Sequence, residues 1–169
     1  MQLLLTAPQL QLIIKRLAQE LIENDEPLAN TIFIGLQPRG IYISEKIVEQ
    51  VQLLCPTQPI QYGVLDITFY RDDVRTAIHM PNTTNIPFNI EGKKVILIDD
   101  VLYTGRTIRA ALDALQDFGR PQKVALCVLV NRRFDRELPI QPDYCGKVID
   151  GAFEQKVKVV KETGEVVIY

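Results

Sequence analysis

Two stretches of the chain, Val95 to Ile98 and Val124 to Val130, are apolar at every position. A strand with one face in water alternates apolar and polar residues. An unbroken run belongs to a strand covered on both faces, as in a parallel sheet between layers of helices. Both runs are far shorter than the roughly 20 residues needed to span a bilayer. Segments of helical period lie between runs of this kind. Leu10, Ile13, Ile14, Leu17, Leu21 and Ile22 form one stripe after Pro8, stopped by Asn24-Asp25-Glu26-Pro27, and Ile43, Ile47, Val48, Val51 and Leu54 form a second. Thr31 to Leu36, Gln61 to Phe69, Lys94 to Asp99 and Lys123 to Val130 read as strands, and Thr107 to Phe118 as a helix ended by Gly119. This order predicts an α/β fold with a central, mostly parallel sheet flanked by helices. The tail from Lys147 to Tyr169 mixes Val with Lys and Glu and predicts short antiparallel strands.

The 169 residues contain no long repeat and no Gly/Ser linker, which predicts a single domain over 1–169. Periodicity lapses between Tyr70 and Lys93, where Asp, Asn, Thr, Pro and Arg dominate. So long a patternless stretch inside a domain is either a linker or an active-site lid. The N-terminal apolar patch has no basic segment before it and no small-residue cleavage signal. Cys55, Cys127 and Cys145 are odd in number and form no CxxC pair, which argues against a disulfide framework and a zinc site. Together these features predict a cytoplasmic protein with reduced thiols and no membrane association. His79, the single histidine, falls in the patternless stretch and reads as a solvated side chain. With a net charge of −2 and a pI near 5.5 the chain as a whole does not attract anions, so any anion must be held by a local site.

Such a site is written at Val95-Ile-Leu-Ile-Asp-Asp-Val-Leu-Tyr-Thr-Gly-Arg-Thr107. Asp99 and Asp100 stand at the carboxyl end of a buried strand, where open α/β sheets bind ligands. Thr104, Gly105, Arg106 and Thr107 follow at the turn into a helix, whose free N–H groups and positive dipole end favour a phosphate. Carboxylates in direct contact with that phosphate would repel it. They suit sugar hydroxyls instead, bound directly or through hydrated Mg²⁺ some way from the anion. Neither a G-x-x-x-x-G-K-[ST] loop nor a G-x-G-x-x-G is present. An acidic pair alone also fits a simple helix N-cap signal. The pair followed by T-G-R-T is much more restrictive.

This segment resembles the phosphoribosyl pyrophosphate (PRPP) motif of type I phosphoribosyltransferases. With Asp66-Ile-Thr-Phe-Tyr-Arg-Asp-Asp73 upstream and Arg136-Glu-Leu-Pro-Ile-Gln-Pro-Asp-Tyr-Cys-Gly-Lys147 downstream, the chain is similar from about residue 8 to 150 to the PyrR family. These are bifunctional pyrimidine-operon attenuation regulators with uracil phosphoribosyltransferase activity. The resemblance implies the type I fold, with a small hood over about 131–169 and a flexible lid over about 70–92. It implies that Asp99 and Asp100 hold the ribose hydroxyls, with Mg²⁺ met indirectly, and that Val101, Leu102, Tyr103, Thr104, Gly105, Arg106 and Thr107 bind the ribose and wrap its 5′-phosphate. Gln37, Pro38, Arg39 and Gly40 would form the pyrophosphate loop, and Arg71 would reach the pyrophosphate from the closed lid. Asn131, Arg132 and Arg133, with Asp143 to Lys147, would lie near the base. The implied partners are PRPP, uracil, UMP or UTP, pyrimidine-operon leader mRNA and further copies of the chain.

Several residues sharpen these expectations. In related 6-oxopurine enzymes the position of Tyr103 is usually an aspartate that meets a purine ring nitrogen, so tyrosine disfavours a purine, although a tyrosine that merely packs fits equally well. Arg132-Arg133 suits phosphate or RNA, or simply a solvated turn. The family string V-D-R-G-H-R-E-L-P is one residue longer here, Val130-Asn-Arg-Arg-Phe-Asp-Arg-Glu-Leu-Pro139, and Pro38 brings no N–H to the pyrophosphate loop. Two alternatives stay open: a transferase with no RNA role, and a nucleotide-sensing regulator with little catalysis. The Ile13, Leu17, Leu21 stripe fits core or subunit contact.

Overall fold

The structure, a computed structural model, describes residues 1–25, 27–70, 83–151 and 154–169. The chain runs through β1 (Gln2–Leu5), α1 (Ala7–Asp25), β2 (Thr31–Gln37), α2 (Ile41–Leu54), β3 (Gln61–Asp66), β4 (Lys94–Leu102), α3 (Arg106–Leu115), β5 (Lys123–Arg132), β6 (Tyr144–Ile149), β7 (Val157–Val160) and β8 (Glu165–Ile168). Five parallel strands make the central sheet in the order β3-β2-β4-β5-β6. A smaller antiparallel sheet, β1-β8-β7, joins the two ends of the chain.

The pleat explains the unbroken apolar runs. Along β4, Val95 and Leu97 pack with Ile108, Ala111 and Leu115 of α3, while Ile96 and Ile98 pack with Leu17 and Leu21 of α1 and Ile43 and Ile47 of α2. These side chains are all nearly or wholly buried, the Val, Leu and Ile among them each contributing roughly 1.5–3 kcal/mol of transfer free energy. Leu17 and Leu21 are therefore core, and Ile13 packs against the same cluster. At its C-terminus α1 closes on a buried hub. Asp25 pairs with Lys94 at the start of β4 and accepts a hydrogen bond from Tyr144 Oη of β6 at 3.0 Å.

The structure moves several boundaries. β3 stops at Asp66 instead of Phe69, because Asp66 Oδ1 accepts from Thr68 N at 3.1 Å and Thr68 Oγ1 at 2.6 Å and turns the chain into a short 3₁₀ segment. The regular part of α3 ends at Leu115, and Gln116 to Phe118 continue as tighter i→i+3 turns up to Gly119. Residues 83–92, read from the sequence as the end of a lid, are tied to the sheet. Asn85 bridges Val64, Thr84 Oγ1 accepts from Asp66 N at 2.9 Å, and Ile90 is fully buried. Tyr144 to Lys147, expected near the base, belong to the edge strand β6. Arg71 and His79, and the expected lid from 71 to 82, lie outside the described residues. No helix among the described residues is long and apolar enough to cross a membrane.

Candidate functional site

The carboxyl ends of β2, β4 and β5 and the start of β7 surround one cleft of about 160 Å³. Asp99 and Asp100 lie in it, both nearly buried, because β4 carries them past the last apolar layer. Each folds back on the backbone: Asp99 Oδ1 accepts from Asp100 N at 2.9 Å, and Asp100 Oδ1 accepts from Val101 N at 2.7 Å. Burial, followed by the adjacent charge of Asp100, pushes the Asp99 carboxyl well above the usual range, and Arg39 opposes that shift. Among the described residues no group of three or more His, Cys, Asp or Glu side chains is placed to cage a metal. The donor set is thus two adjacent carboxylates, suited to an ion that keeps most of its water or substrate oxygens.

Beyond the acidic pair the chain turns at Gly105, whose φ of +92° a side chain would strain. α3 begins at once, and its N-cap residue, Gly105, has no side chain with which to cap the first turn. Thr104 Oγ1 accepts from Arg106 N at 3.3 Å, and Thr107 lines the cleft. Arg106 itself pairs with Glu137 at 2.6 Å and is not among the residues lining the cleft.

From β2 come Gln37, Pro38 and Arg39, joined by a cis Gln37–Pro38 peptide. Gly40 is required by contact, since a Cβ there would sit 2.7 Å from the Ile98 carbonyl oxygen and 2.8 Å from that of Leu36. This close approach sets the start of α2 against the end of β4. The Arg39 side chain bridges two walls of the cleft. Its Nε donates to Asp100 Oδ2 at 3.1 Å and its Nη2 to the Val157 carbonyl at 2.7 Å. The cleft is smaller than the roughly 300–1,000 Å³ of ordinary small-molecule sites.

The arginine pair at the end of β5 divides. Arg132 is buried, with its guanidinium 4.1 Å from the centre of the Tyr103 ring and paired with Asp135 at 2.8 Å. Both Arg132 and Tyr103 line the cleft, so neither is a solvated turn residue. Arg133 points elsewhere and pairs with Asp150 at 2.8 Å on the surface. Asn131 is buried, and its Oδ1 accepts from Arg136. Lys156 and Val157 also line the cleft. Nothing in the sequence signalled them, because they arrive from the small sheet some fifty residues after the acidic pair in the chain.

The fold and the acidic loop define a phosphoribosyltransferase, and the phosphoribosyl transferase domain family matches residues 2–162. A protein named bifunctional protein PyrR from Picosynechococcus sp. is 45% identical over 157 residues, covering 92% of this chain and 88% of the relative. One of the same name from Latilactobacillus sakei is 48% identical over 155 residues, covering 89% and 85%. The hypoxanthine phosphoribosyltransferase of Trypanosoma cruzi shares the fold with a TM-score of 0.75 at 18% identity, covering 99% of this chain and 95% of that one. The chain belongs to the phosphoribosyltransferase superfamily and, within it, to the PyrR family.

Proposed function

We propose that the cleft transfers the phosphoribosyl group of PRPP to uracil, giving UMP and pyrophosphate. The observation that carries this reading is the direct succession, at one sheet edge, of two buried carboxylates and the glycine-led N-terminus of α3. Asp99 and Asp100 take the ribose 2′- and 3′-hydroxyls, and the loop from Val101 to Thr107 receives the 5′-phosphate on its backbone N–H groups. Gln37 to Gly40 face the pyrophosphate. Arg39 leaves Asp100 for the diphosphate, so the guanidinium that neutralises the acidic pair before binding becomes a partner of the leaving group. Arg71 joins it from the segment after Tyr70, as the family resemblance suggests. Arg132 and Tyr103, stacked on each other, form a flat wall beside the base, with Asn131 behind them, while Arg133, turned to Asp150, takes no part.

The bond from C1 to the pyrophosphate oxygen breaks, and its electron pair leaves with the pyrophosphate. Uracil N1 forms the new bond to C1, and its proton passes to the departing pyrophosphate. The sugar passes through an oxocarbenium-like state, so stabilising the leaving group and holding the base in line supply the rate. Mg²⁺ fits the two-carboxylate donor set and, arriving with PRPP, offsets the charge on the diphosphate. Purified protein given Mg²⁺, PRPP and labelled uracil should form UMP, and should form none without Mg²⁺. Absence of UMP with PRPP still binding would reject the transferase reading and favour a nucleotide sensor.

For the regulatory half of the family's function we propose UMP- or UTP-dependent binding of pyrimidine-operon leader mRNA in the cytoplasm. The support is the similarity over nine-tenths of the chain to the bifunctional relatives. The net charge of −2 provides no general attraction for RNA, so recognition must be local. Leader RNA titrated across a salt series should bind more tightly with UMP present, with a log–log slope of about −0.7 per phosphate contact. Binding that ignores UMP at every salt concentration would leave a transferase without an RNA role.

A further inference from the structure

The loop that follows the acidic pair is held from outside by a strap, Arg136-Glu137-Leu138. Arg136 Nη1 donates to the Tyr103 carbonyl, and the backbone N–H groups of Glu137 and Leu138 donate to the Thr104 carbonyl at 2.9 and 3.2 Å. The Glu137 carboxylate pairs with Arg106 on the same turn. The stem of Arg136 lies beside Gly105, where a Cβ would come within 3.5 Å of Arg136 Cδ. Arg136 is in turn fixed by Asn131, whose Oδ1 accepts from Nη2.

These contacts have a directional consequence. In a trans peptide the C=O and the N–H point to opposite sides, and among the described residues only the Gln37–Pro38 peptide is cis. With the Tyr103 and Thr104 carbonyls drawn onto the strap, the N–H groups of Thr104 and Gly105 point away from it. They thereby extend the set of N–H groups at the start of α3 into a concave anion cradle. Arg136 is kept there although its Nε is buried without a hydrogen-bond partner among the described residues. An orphaned donor is a cost that packing alone would not favour.

We propose that Arg136 is a positioning residue, which presets the peptide planes of the 103–107 loop for the 5′-phosphate without touching substrate. The proposal rests on the reading of that loop as the phosphate site. Its role differs from that of a contact arginine, because both of its Nη atoms are already engaged, by the Tyr103 carbonyl and by Asn131.

The test compares wild type, R136Q and R136K for binding of UMP and of uridine, which has no phosphate, alongside the KM for PRPP and for uracil. R136Q should weaken UMP and raise the KM for PRPP by about tenfold, the scale of a lost supporting contact, and leave uridine and the KM for uracil within about twofold. R136K, which keeps one donor and the charge but loses the fork, should fall between. Should R136Q not fold, R136K carries the same comparison. Equal losses for UMP and uridine would show a general structural role and overturn the proposal, as would no loss at all. The phosphate-loop reading has its own separate readout: wild type binding UMP no better than uridine would reject that reading, and the positioning role with it.

Discussion

At the residue scale, Asp99 is a carboxylate whose burial works against the fold. Burial and the charge of Asp100 raise its pKa above the ordinary value, so its ionisation weakens the folded state as the pH rises toward that raised value. Well below the ordinary aspartate value of about 3.9 the group is protonated in both states and the penalty is absent. D99N should therefore melt several degrees above wild type at pH 8 and level with it at about pH 3, while losing most transferase activity. The Asn Oδ1 can still accept from Asp100 N, so the comparison isolates the charge. A mutant that melts lower than wild type at pH 8 would show that the carboxylate is stabilising. The acidic pair was legible in the sequence because the strand, the two carboxylates and the T-G-R-T turn are contiguous. The partners of Arg39 were not. Asp100 is 61 residues from Arg39, and the Val157 carbonyl is 118 away, so no local pattern could reveal either contact.

At the element scale, the sheet was readable because each central strand is apolar on both faces, whereas β6 was not. Its sequence, Tyr-Cys-Gly-Lys-Val-Ile, sits at an edge where half-burial suffices, and it lacks the signature of a central strand. The end of α1 was legible as a stop, but not as a buried ion pair. Asp25, Lys94 and Tyr144 bring together three elements remote in sequence, α1, β4 and β6. Removing one partner leaves the other charge buried alone, which is far more damaging than losing an exposed pair. D25A should lower stability by about 3–5 kcal/mol in urea denaturation, with an unchanged m-value. A loss below about 1 kcal/mol would mean that Lys94 reaches water when its partner is gone. The site lies at the opposite ends of these strands, so PRPP affinity of the folded variant should be little changed.

At the scale of the whole molecule, two sheets meet at the cleft. The central sheet supplies the acidic pair and the loop proposed to take the phosphate, and the small sheet brings Lys156 and Val157. The near-neutral total charge conceals this arrangement, because most cationic groups of the site already have carboxylate partners: Arg39 with Asp100, Arg106 with Glu137, Arg132 with Asp135. Arg39 is the side chain that spans the two sheets across the cleft, and a diphosphate that recruits it must unfasten it from the Val157 carbonyl. Saturation with PRPP and Mg²⁺ should then speed amide hydrogen exchange in 157–160, and slower exchange there would mean that the substrate itself replaces the lost clasp. By thermodynamic reciprocity, whatever immobilises the small sheet with Arg39 fastened must weaken PRPP by the same factor that PRPP loosens the sheet. A single guanidinium thus makes the margin of the molecule a gauge of how full its centre is.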